Sequence, residues 1–285
     1  MIRSLTVIGH GTNLLPHFIE HYTKYVDEIQ LVVYETNAYP NLGKEVHNII
    51  ENYSNVKVVK VVKDRIFDWQ KITTLYNMYK AKNPKDWWVI ADIDEFHLYP
   101  NDNLKNLVLD CDNNGWEIVR GGFIDRIGLN GNFSTIKSEV SIWEQFPHAG
   151  FFRYPMSKSC PNKISLVKGD VEITYGQHYA KIDGQTTWKW QGWNHPLIAP
   201  FQDYSIQVHH FKWDSTSVDR IKEIAQIKQD YASSSEYELM FKSLFKHKFK
   251  IDLSDDEYMF ELELTKPEYN GYKNWKNLFN KIVTI

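Results

Sequence analysis

Residues 87–96 read Trp87-Trp88-Val89-Ile90-Ala91-Asp92-Ile93-Asp94-Glu95-Phe96. Five apolar residues in a row are too few for a helix, and a run this rich in Trp, Val and Ile predicts a strand buried on both faces. Such strands belong to parallel sheets covered by helices. This one delivers carboxylates to its end. In extended backbone, residues i and i+2 point the same way, so Asp92 and Asp94 are expected to converge. Converging carboxylates repel, and a divalent cation relieves the repulsion. The plainer alternative is that Asp92 caps a turn while Asp94 and Glu95 are solvated surface.

The sequence before this strand alternates between strand and helix patterns. Ile2–Ile8 is β-rich and ends at the loop Gly9-His10-Gly11-Thr12-Asn13; Leu14, Leu15, Phe18, Ile19 and Tyr22 then recur with helical spacing. Strands are predicted at Glu28–Tyr34 and Asn55–Val62, and helices at Leu42–Tyr53 and from Trp69, with Asp68 as N-cap and Asn83-Pro84 as the stop. In such a fold the loops after Ile8, Tyr34 and Ala91 share one sheet edge, where ligands bind. Further strands are expected at Glu117–Phe123, Lys163–Val167, Val171–Tyr175 and Ser205–Lys212, and a Trp-dense loop at Trp188–Trp193. The chain turns helical from Ser217. A capping box at Ser233–Glu236 opens another helix, and a final helix is expected near Tyr272–Ile282. The expected fold class is α/β: a mainly parallel central sheet flanked by helices. Residues 1–231 form the main domain and residues 232–285 a C-terminal helical extension packed on it.

Composition narrows the function. The 285 residues carry 33 basic and 36 acidic side chains, a net charge of −3, which lacks the basic surface a nucleic-acid binder needs. Mean hydropathy is −0.48, and no apolar run approaches the ~20 residues of a membrane helix. The early Gly9-His10-Gly11 argues against a signal peptide. The two cysteines, Cys111 and Cys160, form no CxxC, which fits a reducing, cytoplasmic setting. Aromatic residues make up 15% of the chain, enough to suggest that some face flat amphipathic ligands such as sugars as well as the core.

Three chemistries use a paired-Asp motif. A dehalogenase-type phosphatase places it after an early strand with small residues following, unlike Glu95-Phe96 here. A polymerase-type site wants a basic groove. A nucleotide-sugar transferase fits the motif's position and the aromatic content. Asp92-Ile93-Asp94-Glu95-Phe96 resembles the metal-binding DxDEF of GT-A-fold glycosyltransferases of the family-2-like and related groups. Further stretches resemble the same family in order: Asp125-Arg126 with Asn130-Gly131, Trp143-Glu144-Gln145-Phe146-Pro147, Lys163-Ile164 and Gly176-Gln177-His178-Tyr179 as strands, and Val208-His209-His210-Phe211-Lys212-Trp213. The resemblance covers residues 1–231. In place of the family's usual Asn-Glu after the first strand stands Gly11-Thr12-Asn13-Leu14.

The resemblance implies metal-assisted transfer from a nucleoside diphosphate sugar, UDP-sugars first, to a glycan or other hydroxyl acceptor. Alternatives are a metal-dependent phosphohydrolase and a non-catalytic carbohydrate-binding protein of the same fold. The metal would be Mn²⁺ or Mg²⁺, held by Asp94 with Asp92 at the ribose or a metal-bound water, Glu95 behind them or at a helix start, and His210 as the late ligand. Alternation along Ser205–Lys212 puts His210 on one face with Lys212, which suits phosphates, and His209 with Phe211 and Trp213 in the core. Asn13 and Glu35 are candidates for the nucleotide; the alternative for Glu35 is a solvated strand end. Arg65, Lys71 and Arg126 are weaker candidates for phosphate. For an inverting reaction the base candidates are Glu144, an acid between apolar residues, then Asp125, then Asp183; Glu144 alternatively pairs with Arg126 or Arg153. A retaining reaction needs no such base. Trp190 and Trp193 are acceptor-stacking candidates, alternatively core anchors. His178 is either a further metal ligand or a hydrogen-bonded core residue.

Overall fold

A computed structural model describes residues 1–150, 160, 162–187, 194–226 and 234–251. In chain order the first elements are β1 (Ile2–Ile8), α1 (Leu15–Tyr22), β2 (Glu28–Glu35), α2 (Leu42–Ile50), β3 (Val56–Lys63), α3 (Trp69–Lys80), β4 (Trp87–Ile90), β5 (Glu95–Leu98) and α4 (Leu104–Asn114). There follow β6 (Ile118–Ile127), α5 (Ile142–Gln145), β7 (His148–Gly150), β8 (Asn162–Lys168), β9 (Glu172–Ile173), β10 (Ala180–Ile182) and β11 (Gln185–Thr186). The last are α6 (Phe201–Tyr204), β12 (Ile206–His210), α7 (Ser217–Gln226) and α8 (Ser234–Lys246). The described residues fall into two compact units, one of residues 1–122, 162–187 and 194–208, the other of residues 123–150, 160, 209–226 and 234–251.

The first unit is the α/β fold expected, a sheet in the order β3-β2-β1-β4-β8-β6-β12-β5 with helices against it. Its N-terminal strands are parallel: β1 pairs with β2 and β4, and β2 with β3. β8 reverses direction, antiparallel to both β4 and β6. The core joins Leu5, Val7, Val32, Tyr34, Trp88 and Ile90 of the strands to Ile72, Tyr76 and Tyr79 of α3. Burying each such side chain contributes roughly 1.5–3 kcal/mol. Asp68 caps α3 as expected, accepting from the backbone N–H of Gln70 and Lys71.

Several features of this unit differ from expectation. β5, α4, α6 and the short strands β10 and β11 were not foreseen. α4 buries Leu104, Leu107, Val108 and Cys111 on one stripe, with Asn103 as N-cap and Gly115 in the left-handed conformation at its end. Gly176-Gln177, expected in a strand, lies in a 3₁₀ turn (Tyr175–Gln177), because Gly176 has φ +69° and Gln177 +55°, outside the β region.

At Gly121 on β6 an added Cβ would stand 2.9 Å from the Ile206 carbonyl oxygen and 2.6 Å from Val208 Cγ2. Gly121→Ala is therefore expected to cost about 1–3 kcal/mol by overpacking. A lowered urea midpoint at unchanged slope would measure it.

In the second unit, β6 pairs antiparallel with β7, Asp125 opposite Gly150 and Ile127 opposite His148. Ile127, Trp213, Ile221, Met240, Leu244 and Ile251 form its core. Thus α8, the described part of the expected extension, shares a core with α7. Ile251 N–H donates to Gly131 O at 3.0 Å, which ties the residues after α8 back to the loop after β6. The expected boundary at 231–232, the Tyr272–Ile282 helix and the Trp188–Trp193 loop lie outside the described residues. Among the described residues no helix is long and apolar enough to cross a membrane.

Candidate active site

Parallel pairing of β1, β2 and β4 brings their C-terminal ends to one edge, the edge where such sheets bind ligands. The acidic motif leaves this edge as a turn. β4 ends at Ile90, and Glu95 N–H donates to Asp92 O at 2.9 Å. The expected convergence of Asp92 and Asp94 by strand alternation is thus corrected: Ile93 and Asp94 are turn residues, and a period of two does not apply to them. Glu95, expected behind the metal ligands or at a helix start, opens β5 and not a helix, and its Oε2 accepts from Asp92 N–H at 3.0 Å.

Aromatic hydroxyls from two helices hold the turn. Tyr76 of α3 donates to Asp92 Oδ1 at 3.1 Å and accepts from Val7 N–H at 3.2 Å. Tyr22 of α1 donates to Glu95 O at 2.9 Å and accepts from His97 N–H at 3.1 Å. Thr6 Oγ1 donates to Ala91 O. Burial, then the nearby Asp92 charge, pushes the Tyr76 phenol well above its ordinary pKa.

Lys163 of β8 closes the cluster. Its ammonium lies 2.8 Å from Glu95 Oε1, 3.2 Å from Asp92 Oδ2 and 3.0 Å from Gln177 Oε1. The side chains of Lys163 and Glu95 are 1% and 2% exposed. Burial works against this charge, but Asp92 and Glu95 outweigh it and the pKa is raised. Lys163 is thus shared by the two carboxylates flanking Asp94, one positive charge against two negative, while Asp94 itself is half-buried in the turn. Among the described residues no group of three or more His, Cys, Asp or Glu side chains is placed to hold a metal. Asp94 would be the residue of the turn to hold a cation, and Mg²⁺ beside a nucleotide commonly takes only one or two protein carboxylates together with phosphate oxygens.

Other candidates on the first unit have clear places. Asn13 is half-buried in the turn after β1, where Leu14 N–H donates to Gly11 O at 2.9 Å. Glu35 is buried, not a solvated strand end. Its Oε1 accepts from Gly43 N–H at 2.9 Å in the first turn of α2, and Oε2 lies 3.1 Å from Lys63. The Gly43 bond leads in holding its pKa below the usual range. Lys71 pairs with Asp64 at 2.7 Å. Arg65 is exposed. Asp183, the third base candidate, is an exposed residue of the Asp183-Gly184 hairpin turn, where both φ angles are positive. His178 Nδ1 lies 2.7 Å from Asn162 O.

In the second unit the burial alternates from 209 to 213. His209, Phe211 and Trp213 are buried; His210 and Lys212 are partly exposed. His209 and Phe211 pack edge-on against Trp143, with ring centroids 5.1 and 5.2 Å away. His210 Nδ1 stands 3.4 Å from Asp125 Oδ1, and its ring lies 5.1 Å from that of Phe123. Asp125, expected as a base, is buried and accepts from Trp213 Nε1 at 2.8 Å. Glu144, expected to be shielded between apolar residues, is exposed, because the single turn of α5 buries Ile142 and directs Glu144 to solvent. Arg126 donates to Phe146 O at 3.0 Å and lies over the Trp143 ring, and burial lowers its pKa to about 10. Lys212 lies 3.6 Å from Met240 Sδ and 5.0 Å from the Tyr237 ring centroid. Trp190 and Trp193 lie outside the described residues.

Sequence reasoning missed Tyr76, Lys163 and Gln177 as parts of the site. The signal for Lys163 was a charge opening an apolar run, Ile164-Ser165-Leu166-Val167, with no polar periodicity to put it on a wet face.

No family model matches the chain, and no curated protein matches it in sequence. Solved structures resemble it distantly. A mannosyltransferase from Pyrobaculum calidifontis, in complex with GDP-Man and Mn²⁺, has 12% identity and TM-score 0.39, with 85% of this chain and 69% of that one covered. The UTP-bound UGPase from Acinetobacter baumannii has 8% identity and TM-score 0.30, with 86% of this chain and 100% of that one covered.

Proposed function

We propose that the chain is a metal-dependent glycosyltransferase that moves a sugar from a nucleoside diphosphate sugar, UDP-sugars first, to a hydroxyl of a glycan or similar acceptor. The observation that carries this reading is the Asp92–Glu95 turn. It sits at the C-terminal edge of parallel strands, braced by Tyr76, Tyr22 and Lys163, and it carries the half-buried carboxylate Asp94 between Asp92 and Glu95. Mn²⁺ or Mg²⁺ held there would supply Lewis-acid neutralisation of a leaving diphosphate. Asp92 positions the turn, and Asn13 meets the nucleotide from the loop after β1. Glu35 acts by holding the first turn of α2.

For His210 the sequence resemblance assigns metal binding, and its surroundings suit a ligand. Asp125 Oδ1 stands 3.4 Å from Nδ1, where a carboxylate can orient a metal-binding ring. Lys212 serves the phosphates, and Trp190 and Trp193 stack on the acceptor. If the transfer inverts, exposed Glu144 remains the base to test.

The test is calorimetry of the full chain with UDP-sugars, with and without Mn²⁺, alongside a transfer assay. Donor binding tightened by Mn²⁺ with sugar transfer is expected. Binding indifferent to Mn²⁺ with no transfer overturns the reading. Phosphate release without transfer would identify a phosphohydrolase, and binding of free glycans alone would identify a carbohydrate-binding protein.

A further inference from the structure

We propose that Lys163 is a built-in counter-cation: it weakens the hold of Asp92 and Glu95 on a divalent metal, so that the turn holds a cation firmly only together with a diphosphate. The second half of this statement rests on the glycosyltransferase reading; the first half does not.

The geometry saturates the lysine. An ammonium has three N–H donors, and Lys163 has three acceptors within 3.2 Å, Glu95 Oε1, Gln177 Oε1 and Asp92 Oδ2. The remaining carboxylate oxygens also have donors: Tyr76 OH for Asp92 Oδ1 and Asp92 N–H for Glu95 Oε2. Each oxygen of Asp92 and Glu95 thus already accepts a hydrogen bond, and a metal approaching either carboxylate meets the Lys163 charge beside it.

The arrangement is locally costly. Buried charge triads are often no more stable than apolar residues of the same volume. Gln177 adopts φ +55°, a left-handed conformation that non-glycine residues rarely take. Its Nε2 is buried without a hydrogen-bond partner among the described residues, the orientation imposed by turning Oε1 toward Lys163. Strain and an unsatisfied donor gathered around one ammonium, at the ligand edge of the sheet, point to a role beyond packing.

Charge count supplies that role. Three carboxylates within four residues make a cation site whose affinity rises with ligand charge. Cancelling one of those charges with a fixed ammonium turns a permanently filled site into one that metal enters and leaves with its anionic ligand. Lys163 is thus a positioning residue that sets metal affinity through Asp92 and Glu95.

The experiment is Mn²⁺ titration of the metal-free full chain with no nucleotide present, by calorimetry and by thermal shift. Wild type is expected to bind weakly and to gain little in melting temperature. Lys163→Gln is expected to bind Mn²⁺ tighter, on the order of tenfold or more, and to be stabilised by it. Lys163→Arg keeps the charge and should stay near wild type. Asp92→Asn placed on Lys163→Gln should cancel the gain. If Lys163→Gln does not fold without metal, the double variant Lys163→Gln/Glu95→Gln removes one charge of each sign and should still bind Mn²⁺ more tightly than wild type through the released Asp92. Equal Mn²⁺ affinity in wild type and in these variants overturns the proposal, since a purely structural lysine would lower melting temperature alone. Failure of wild type to bind or use nucleotide sugars would defeat the glycosyltransferase reading and leave these metal comparisons standing.

Discussion

Asp94→Asn is expected to lower Mn²⁺-supported sugar transfer by roughly 10²–10³-fold, the loss typical when a preorganised charge that stabilises the leaving group is removed. The fold should barely change. The turn is held by groups on either side of Asp94: Tyr76 and Lys163 on Asp92, and Lys163 and Tyr22 on Glu95. An amide of the same size leaves those bonds in place and removes the negative charge. The defect should appear in kcat at saturating donor, with circular dichroism and melting temperature close to wild type. Asp92→Asn makes a useful contrast, because it unbalances the Lys163 cluster and should lower melting temperature as well as activity. Wild-type transfer by Asp94→Asn in EDTA would mean that no metal acts at this turn.

How much of this was legible in the sequence depends on the range of the interactions involved. β1 was predicted at its observed bounds, and β2, β3 and β4 within a residue, because parallel strands announce themselves as short Val/Ile-rich runs between turn residues, even where lysines interrupt the run as in the largely unburied edge strand β3. α4 was missed although its apolar stripe, its Asn103 cap and Gly115 are all local. Its stripe is diluted by lysine, asparagine and aspartate, which weakens the helical period. The antiparallel setting of β8 was not legible, since local pattern encodes burial but not strand direction. At the site, the alternation argument failed for Asp92 and Asp94 because β4 ends before the motif begins, and the period of two ends with it. The same argument matches the observed burial from His209 to Trp213. Lys163 meets Asp92 from 71 residues away, a pairing set only by the order of strands in the sheet. Glu144 was misread because a single helical turn exposes the acid between two apolar neighbours in sequence.

The remaining large effect concerns acid stability and arises at α1. His21 is buried, its Nε2 2.8 Å from His97 O, its ring edge-on to Tyr22 and 5.3 Å from Phe96. Burial is the leading cause of a pKa lowered to about 4; Lys24 lowers it further, while the His97 carbonyl and Asp102 act in the opposite direction. An unfolded chain protonates this histidine near its ordinary value of about 6.5. Between those two values the unfolded state binds the proton and the folded state resists it, so stability rises with pH. The contribution is fully present above about pH 6.5 and is lost as pH falls toward 4, a total of about 3 kcal/mol. His21→Gln retains an N–H donor for the His97 carbonyl and does not titrate. Its stability should therefore fall less on acidification, by about 3 kcal/mol across that window. Urea midpoints of the two proteins at pH 7, 5.5 and 4.5 measure this. His17 and His97, also buried, are common to both proteins, so the difference between the curves isolates His21. Parallel curves would show that the folded chain accepts the proton at His21 as readily as the unfolded one, and that burial against Tyr22 and Phe96 does not exclude the charge.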